Sequence, residues 1–375
     1  MSVIWTRRSR AIAAVAGLFL AGTAAAACST AGAAQVGNKP ASTGAAGGSA
    51  GQPASVANVT LHVGDQAGAG SEALLTAAGL ISKLPFKVTW SDFTSGPPML
   101  QAMSGGSVDI GSVGDAPPVF AAAGGSQVAV VSALQANPLG TAIVVPANSP
   151  IHTLAQLRGK RIAVTQGSSA NYHLIAILKK AGLSIHDVTA DYLQPPEAQA
   201  AFASHQVDAW DIWSPFIEQA LSQDHARVLA TGAGLASTYS FVVASRAALA
   251  DPGKAQAIRD YLKLLDQAYK WAATHESAWA TTWAKASGLP EKVMLTAVKD
   301  SLAKPTPITS TVLSSEQSVA NAFTASGLIP GHVAFSQFAV TSYNDILKGT
   351  SPRSEAAYDA TVGERVPPPP VPGNP

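Results

Sequence analysis

Three short runs of small and polar residues have the types and spacing to hold a ligand. They are Ser95-Gly96-Pro97-Pro98, Gly114-Asp115-Ala116-Pro117-Pro118 and Gln166-Gly167-Ser168-Ser169. Each stands directly between a predicted strand and a predicted helix, so each presents backbone N–H groups of a helix start that have no carbonyl partner within the helix. In a parallel sheet such turns lie together at the carboxyl edge, where the positive ends of the helix dipoles face one crevice. An anion can be held there without an arginine. Serine N-caps and first-turn prolines also start helices of no special function, and Asp115 is open between capping its own helix and touching a ligand. Three such turns in one chain point to a cleft. A fourth segment, Asp208-Ala209-Trp210-Asp211-Ile212-Trp213-Ser214-Pro215-Phe216, puts Trp213 at a strand end, where its ring makes an apolar wall beside that cleft. Trp210 is expected in the core.

The elements that must position these groups follow from hydrophobic runs. Val59 to Val63, Lys87 to Trp90, Val108 to Gly111, Gln127 to Ala133 and Ala142 to Val145 read as strands with helical patterns between them. The alternation begins again after Pro146, with Arg161 to Thr165, Val188 to Tyr192, Asp208 to Ile212, Arg227 to Ala230 and Phe241 to Ala244. Two such arrays in series predict an α/β protein of two lobes with mostly parallel sheets. Beyond Asp251 the pattern predicts helices only. Asp251-Pro252 is an N-cap with proline in the first turn, and Ile258, Tyr261, Leu262, Leu265 and Tyr269 form an apolar stripe at helical spacing. Gly288 and Gly327 read as helix stops.

Other chemistries lack their residues. The 8 histidines are scattered, none at metal-ligand spacing from another histidine or from the cysteine, so no metal site and no cofactor is expected. His173 and His205 read as surface or satisfied core groups. The only G-x-S-x-G, Gly47 to Gly51, lies in a run of Ala, Gly and Ser with neither strand nor helix to build a nucleophile elbow. No phosphate-binding glycine loop follows a strand. With 24 Lys and Arg against 23 Asp and Glu in 375 residues, the chain has no basic block to grip a nucleic acid. Its single cysteine excludes a disulfide framework.

The termini read as address and tether. Arg7, Arg8 and Arg10 precede an apolar run from Ala11 to Ala21, too short to span a bilayer, and small residues lead to Ala27-Cys28. Residues 1–27 are therefore a predicted signal peptide, and Ala25-Ala26-Ala27-Cys28 resembles a bacterial lipobox with Ala25 where Leu is usual. Lipidation of Cys28 gives an exported chain a reason to keep one thiol; ordinary cleavage, leaving a soluble exported protein, is the alternative. Cleavage removes 3 arginines and no acid, taking the formal charge from +1 to −2. Residues 28–58 are a predicted lipid-anchored flexible linker, and 351–375 a proline-rich disordered tail.

Taken in order, Phe93 to Pro97, Gly105 to Pro118, Gly167 to Tyr172, Asp208 to Phe216 and Gly327-Leu328-Ile329-Pro330 resemble the aliphatic-sulfonate substrate-binding proteins of ABC importers. The similarity runs from about Val59 to Pro330, and the Gly-Asp-Ala-Pro-Pro run discriminates most. The resemblance implies a type II periplasmic-binding fold with two crossover strands and extra C-terminal helices. Lobe 1 would be residues 59–143 and 240–350, and lobe 2 residues 144–239. It implies a binder, not an enzyme, with a sulfonate ligand, a permease and its ATPase as partners; a membrane reached through Cys28 and a single copy of the chain are expected with it. On the matching positions, Gln66, Ser95, Gly96, Asp115, Ala116, Ser168, Ser169, Asn171, Trp213 and Tyr239 would line the site. Taurine, nitrate or a small heteroaromatic are the alternative ligands; an enzyme on the same fold and a surface interaction protein are the alternative classes. Asp65 and Asp211 depart from the family pattern, and either would pair the ammonium of a zwitterionic ligand unless it serves as a cap or surface group. Ser214 replaces an aspartate usual before Pro215.

Overall fold

Residues 55–66 and 70–348 are described by the structure, a computed structural model. The expected signal peptide, Cys28, most of the linker and the proline-rich tail lie outside the described residues.

The ten apolar runs form ten strands: β1 Thr60–Gln66, β2 Lys87–Phe93, β3 Ile110–Val113, β4 Val128–Gln135, β5 Thr141–Pro146, β6 Arg161–Val164, β7 Thr189–Tyr192, β8 Ala209–Trp213, β9 Ala226–Thr231 and β10 Tyr239–Ser245. An eleventh, β11 Lys304–Thr306, corrects the expectation of helices alone beyond Asp251. It is three residues long and contains Pro305, so it carries no period to read, and it pairs only with β4 at the sheet edge, where a missing N–H is tolerated. The helices are α1 Ser71–Ala77, α2 Gly96–Ser104, α3 Ala116–Ala123, α4 Ser169–Lys180, α5 Pro195–Ala203, α6 Phe216–Gln223, α7 Arg246–Ala250, α8 Pro252–Ala272, α9 Glu276–Ser287, α10 Glu291–Ser301 and α11 Ser310–Ala325.

Two sheets result, in the orders β11-β4-β10-β3-β1-β2 and β7-β6-β8-β5-β9. In the first, β1, β2, β3 and β4 run one way and β10 and β11 the other. In the second, only β5 is reversed. The chain leaves the first sheet after Gln135 and returns to it at Tyr239, and the strands entered at these crossings, β5 and β10, are reversed ones inserted among parallel neighbours. The change of sheet therefore falls in residues 136–140 and 232–238, a few residues before the boundaries at 143/144 and 239/240 drawn from sequence. Gly232 and Pro138 bring the two crossings together: a Cβ on Gly232 would lie 2.6 Å from the Pro138 carbonyl oxygen.

Each sheet is covered on both faces, which is why strands such as β4, buried at all of its 8 positions, read as unbroken apolar runs. One face of the first sheet packs α1, α8, α9 and α10, and the other packs α2, α3 and α11. Asp251 caps α8 by accepting from Lys254 N at 2.8 Å, and the predicted stripe buries Ile258, Tyr261, Leu262 and Leu265. Gly288 closes α9 in the left-handed region at φ 72° and Gly327 follows α11 at φ 70°, as a helix stop requires. In the second lobe α4 presents Ala170, Leu174, Ile177 and Leu178 to one side of its sheet. Phe202, Trp210 and Ile217 fill the other.

Candidate functional site

The strand ends converge on one cavity of about 200 Å³ between the two sheets. Parallel strands bring their carboxyl ends: Gln66 closes β1, Gly114 and Asp115 follow β3, Ser168 and Ser169 follow β6, and Trp213 closes β8. The reversed strands bring their starts to the same edge. Tyr239 opens β10 opposite Gln135, and Thr141 opens β5 opposite Trp213. The volume is below the ~300–1,000 Å³ usual for drug-sized ligands, which suits a small one.

Of the ten residues expected at the site, Gln66, Gly96, Asp115, Ser168, Ser169, Trp213 and Tyr239 line this cavity. Ser95, Ala116 and Asn171 are buried just behind it and do not line it. Ser95 Oγ donates to Gln194 Oε1 at 2.8 Å, a bond from the first lobe to the start of α5 in the second. Ala116 N donates to the Asp115 carboxylate at 2.7 Å. Asn171 accepts from Gly167 N at 3.1 Å and bonds its own amide to Ser168 Oγ, so it shapes the turn before α4. Asp65 and Asp211 are both taken up structurally. Asp65 accepts from the amides of Ser71 and Glu72 at the start of α1, while Asp211 lies 2.9 Å from His173 Nδ1 with both side chains fully buried. His173 is thus a core histidine paired through Nδ1; burial lowers its affinity for a proton, but the Asp211 carboxylate more than offsets this and holds its pKa up.

The donors differ among the three turns. Pro97, Pro98, Pro117 and Pro118 remove two amides each from the first turns of α2 and α3, leaving Gly96 N–H in the first and the Asp115 and Ala116 amides in the second. Both of these last are used: Ala116 by Asp115, and Asp115 N by Ser169 Oγ at 3.2 Å across the cleft. The start of α4 is free of proline. Ser168 caps it by accepting from Asn171 N, and the amides of Ser169 and Ala170 occupy the first two helical positions, where no intrahelical carbonyl reaches them. Lys179 and Lys180 at its far end complement the dipole. Gly114 permits the close approach of the lobes, since a Cβ there would stand 1.8 Å from Ser169 Oγ.

Among the described residues no Lys, Arg or His lines the cavity, and the one acid that does is Asp115. Burial raises the Asp115 pKa to about 6, although bonds from Ser169 and the local amides oppose it. Behind it Glu316 of α11 is fully buried with both carboxylate oxygens lacking a hydrogen-bond partner among the described residues; burial, and then Asp115, push its pKa well up. The site is therefore a set of neutral donors beside carboxyl groups that resist ionisation. It suits an anion that brings few charges and needs no counter-cation.

Sequence reasoning missed the crossing segments. Ala136, Asn137, Pro138 and Gly140 from one, and Ala236 and Ser237 from the other, line the cavity, as do Ser214, Ser240 of β10 and Ser301. Asn137-Pro138-Leu139-Gly140 carried a turn signal, but attention to strand-to-helix turns passed over strand-to-strand crossings. Ser301 ends a helix 60 residues beyond its neighbours in the site and gave no signal.

Two α/β lobes joined by paired crossings and enclosing a small-ligand cavity define a periplasmic-binding-protein fold. Comparisons with known proteins agree. A family model described as ABC transporter, phosphonate, periplasmic substrate-binding protein matches residues 77–288. An aliphatic sulfonates-binding protein of Escherichia coli (strain K12) is 35% identical over 282 residues, covering 74% of this chain and 87% of the relative. The structure of an alkanesulfonate-binding protein from Xanthomonas axonopodis pv. citri bound to MOPS superposes with a TM-score of 0.69 at 35% identity, over 75% of this chain and 98% of that one. A periplasmic aliphatic sulphonate binding protein from Escherichia coli gives 0.67 at 33%, over 79% and 96%. The chain belongs to the family of periplasmic substrate-binding proteins of ABC transporters, which work outside the cytoplasm. A desulfurization enzyme with a TM-score of 0.56 at 17% identity shares the fold alone.

Proposed function

We propose that this protein is the receptor of an ABC importer for small organosulfonates, holding the sulfonate group at the start of α4 and the carbon tail against Trp213. The observation that carries this is the first-turn amide of Ser169 at the edge of a cavity lined, among the described residues, by no cation. A sulfonate keeps one negative charge at every physiological pH and spreads it over three acceptor oxygens, so amides and hydroxyls satisfy it. Gly96 N–H, Gln66 Nε2 and the Ser169 hydroxyl are the further donors at hand. Trp213, half-buried and edge-on to Phe216 at 6.2 Å, supplies an apolar face for the first carbons. The names of the relatives from Escherichia coli and Xanthomonas support the ligand class.

The role is capture and delivery without chemistry. The nearest approach to an acid/base pair, His173 with Asp211, is buried and does not line the cavity. The two lobes, which exchange chain at residues 136–140 and 232–238, close on the ligand about these crossings, and the closed form meets a permease and its ATPase. A lipid on Cys28 and the linker over 28–58 tether a single copy to the outer face of the membrane.

A phosphonate is the second reading, favoured by the family model and by Asp115, whose carboxylate can accept a hydrogen bond from the P–OH of a phosphonate monoanion. Thermal unfolding with millimolar ethanesulfonate, taurine, ethylphosphonate, nitrate and sulfate separates the readings. A micromolar ligand at that concentration adds about 4 kcal/mol of stability, a rise of several degrees in Tm. The proposal expects the rise with ethanesulfonate at pH values above and below 7. A rise confined to ethylphosphonate, or to nitrate, replaces it.

A further inference from the structure

The cavity at the strand ends has a neighbour. A second cavity of about 190 Å³ lies among α1, α8, α9 and the end of α10, and Ala136, Ser214, Ser240 and Ser301 line both. Its own walls are mainly aromatic and aliphatic, with Leu74, Tyr269, Ala272, Trp279, Trp283 and Leu302, and Ser71 is the polar side chain among them. Trp279 and Trp283 stack on each other at 5.5 Å between ring centroids and 17° between planes. No Lys or Arg lines this chamber either.

We infer that this aromatic chamber takes the far part of a long-chain alkyl or aryl sulfonate, reached past Ser214, Ser240 and Ser301 from the first cavity. The inference rests on the sulfonate reading of that cavity and deepens it from the head group to the tail. Two observations beyond the shared lining support a ligand here. The walls combine small residues with large rings, as a site for a slender or flat apolar group does, whereas a filled core packs such rings without a void. Trp283 is 4% exposed, and its Nε1 has no hydrogen-bond partner among the described residues, although a buried indole N–H usually finds one. The residues shared by the two cavities are three serines and an alanine, small side chains that carry no charge to repel a methylene chain.

The geometry divides the labour of recognition. The turns before α2 and α4 would read the sulfonate, Trp213 would cover the first carbons, and Trp279 and Trp283 would set the preferred length. Short sulfonates such as ethanesulfonate use only the first part.

Titration calorimetry of the full chain with ethane-, butane-, hexane- and octanesulfonate tests this. Burying each added methylene tightens binding by up to about fourfold, so affinity is expected to climb along the series until the chamber is full. Ala303→Phe, on the chamber wall, is expected to lower hexanesulfonate affinity at least ten times more than ethanesulfonate affinity. Trp283→Leu, which enlarges the chamber, is expected to shift the optimum towards octanesulfonate, and covers the case in which Ala303→Phe does not fold. Ethanesulfonate bound with a flat series overturns the chamber and leaves the sulfonate reading standing. Absence of binding by every sulfonate overturns both.

Discussion

Asp115 shows how one residue serves fold and site together. Its carboxylate accepts from Ala116 N to begin α3, while its own amide donates to Ser169 Oγ across the cleft. Ser169→Ala removes that bridge and one of the hydroxyls offered to the ligand. Such a bond is worth about 1 kcal/mol net and more when the partner is charged, so ethanesulfonate affinity should fall about five- to thirtyfold in a calorimetric titration, with Tm nearly unchanged. Asp211 makes the opposite case. Its partner is His173, and the pair is sealed in the core. Asp211→Ala should lower unfolding free energy by about 3 kcal/mol or more in urea. It should leave the affinity ratio of taurine to ethanesulfonate unaltered; a changed ratio would assign the carboxylate to the ammonium of taurine after all.

Among elements, the strand ends decide where the site is and glycines decide how closely the layers meet. Gly111 in β3 lies where a Cβ would approach Met99 Sδ to 2.4 Å and the Gly64 carbonyl oxygen to 2.8 Å. A backbone oxygen cannot step aside, and overpacking of this kind costs about 1–3 kcal/mol. Gly111→Ala should therefore lower the urea midpoint by a matching amount, without touching the cavity lining. The elements that carry the site were largely legible. Apolar runs bounded by glycine and proline marked ten strands, and serine or aspartate before a helical stretch marked the starts of α3, α4 and α8. Legibility failed where the signal depends on distant partners. β11 is too short to show a period, and Ser95, Ala116 and Asn171 sit in the right turns but face inward or across the cleft. The crossings hide in strand-to-strand segments. The aromatic chamber was unreadable, because Trp279 and Trp283 fall at ordinary helical spacing and only tertiary packing leaves space beside them.

For the whole molecule, buried acids dominate the response to pH. Burial raises Asp65 and Asp115 from 3.8 to about 6 and Glu218 from 4.5 to about 7, and pushes Glu316 well up. Between the unfolded and native values the native state binds more protons, so stability falls as pH rises from about 4 to about 7. His173, also raised, acts in the same sense. Tm should be higher near pH 5 than near pH 7.5, and Glu218→Gln, whose partner is Ser214, should flatten the profile. A Tm that climbs with pH across this range would mean that these carboxyl groups are ionised and paired. The lobes themselves are bridged by Thr94 and Ser95 to Gln194 and by Asp115 to Ser169. Beside these polar bonds, Ile175 and Tyr172 of α4 pack on the first lobe's core, Tyr172 lying 6.2 Å from Phe323, so closure buries apolar surface as well as joining hydrogen bonds across the cleft.

The most direct test of the central claim is a crystal structure with 2-bromoethanesulfonate, whose bromine marks the tail by anomalous scattering. The account predicts sulfonate oxygens within hydrogen-bond reach of the Ser169 and Ala170 amides, and bromine beside Trp213 on the side facing Ser214 and Ser240. A ligand bound the other way round, or outside the cavity at the strand ends, would contradict it.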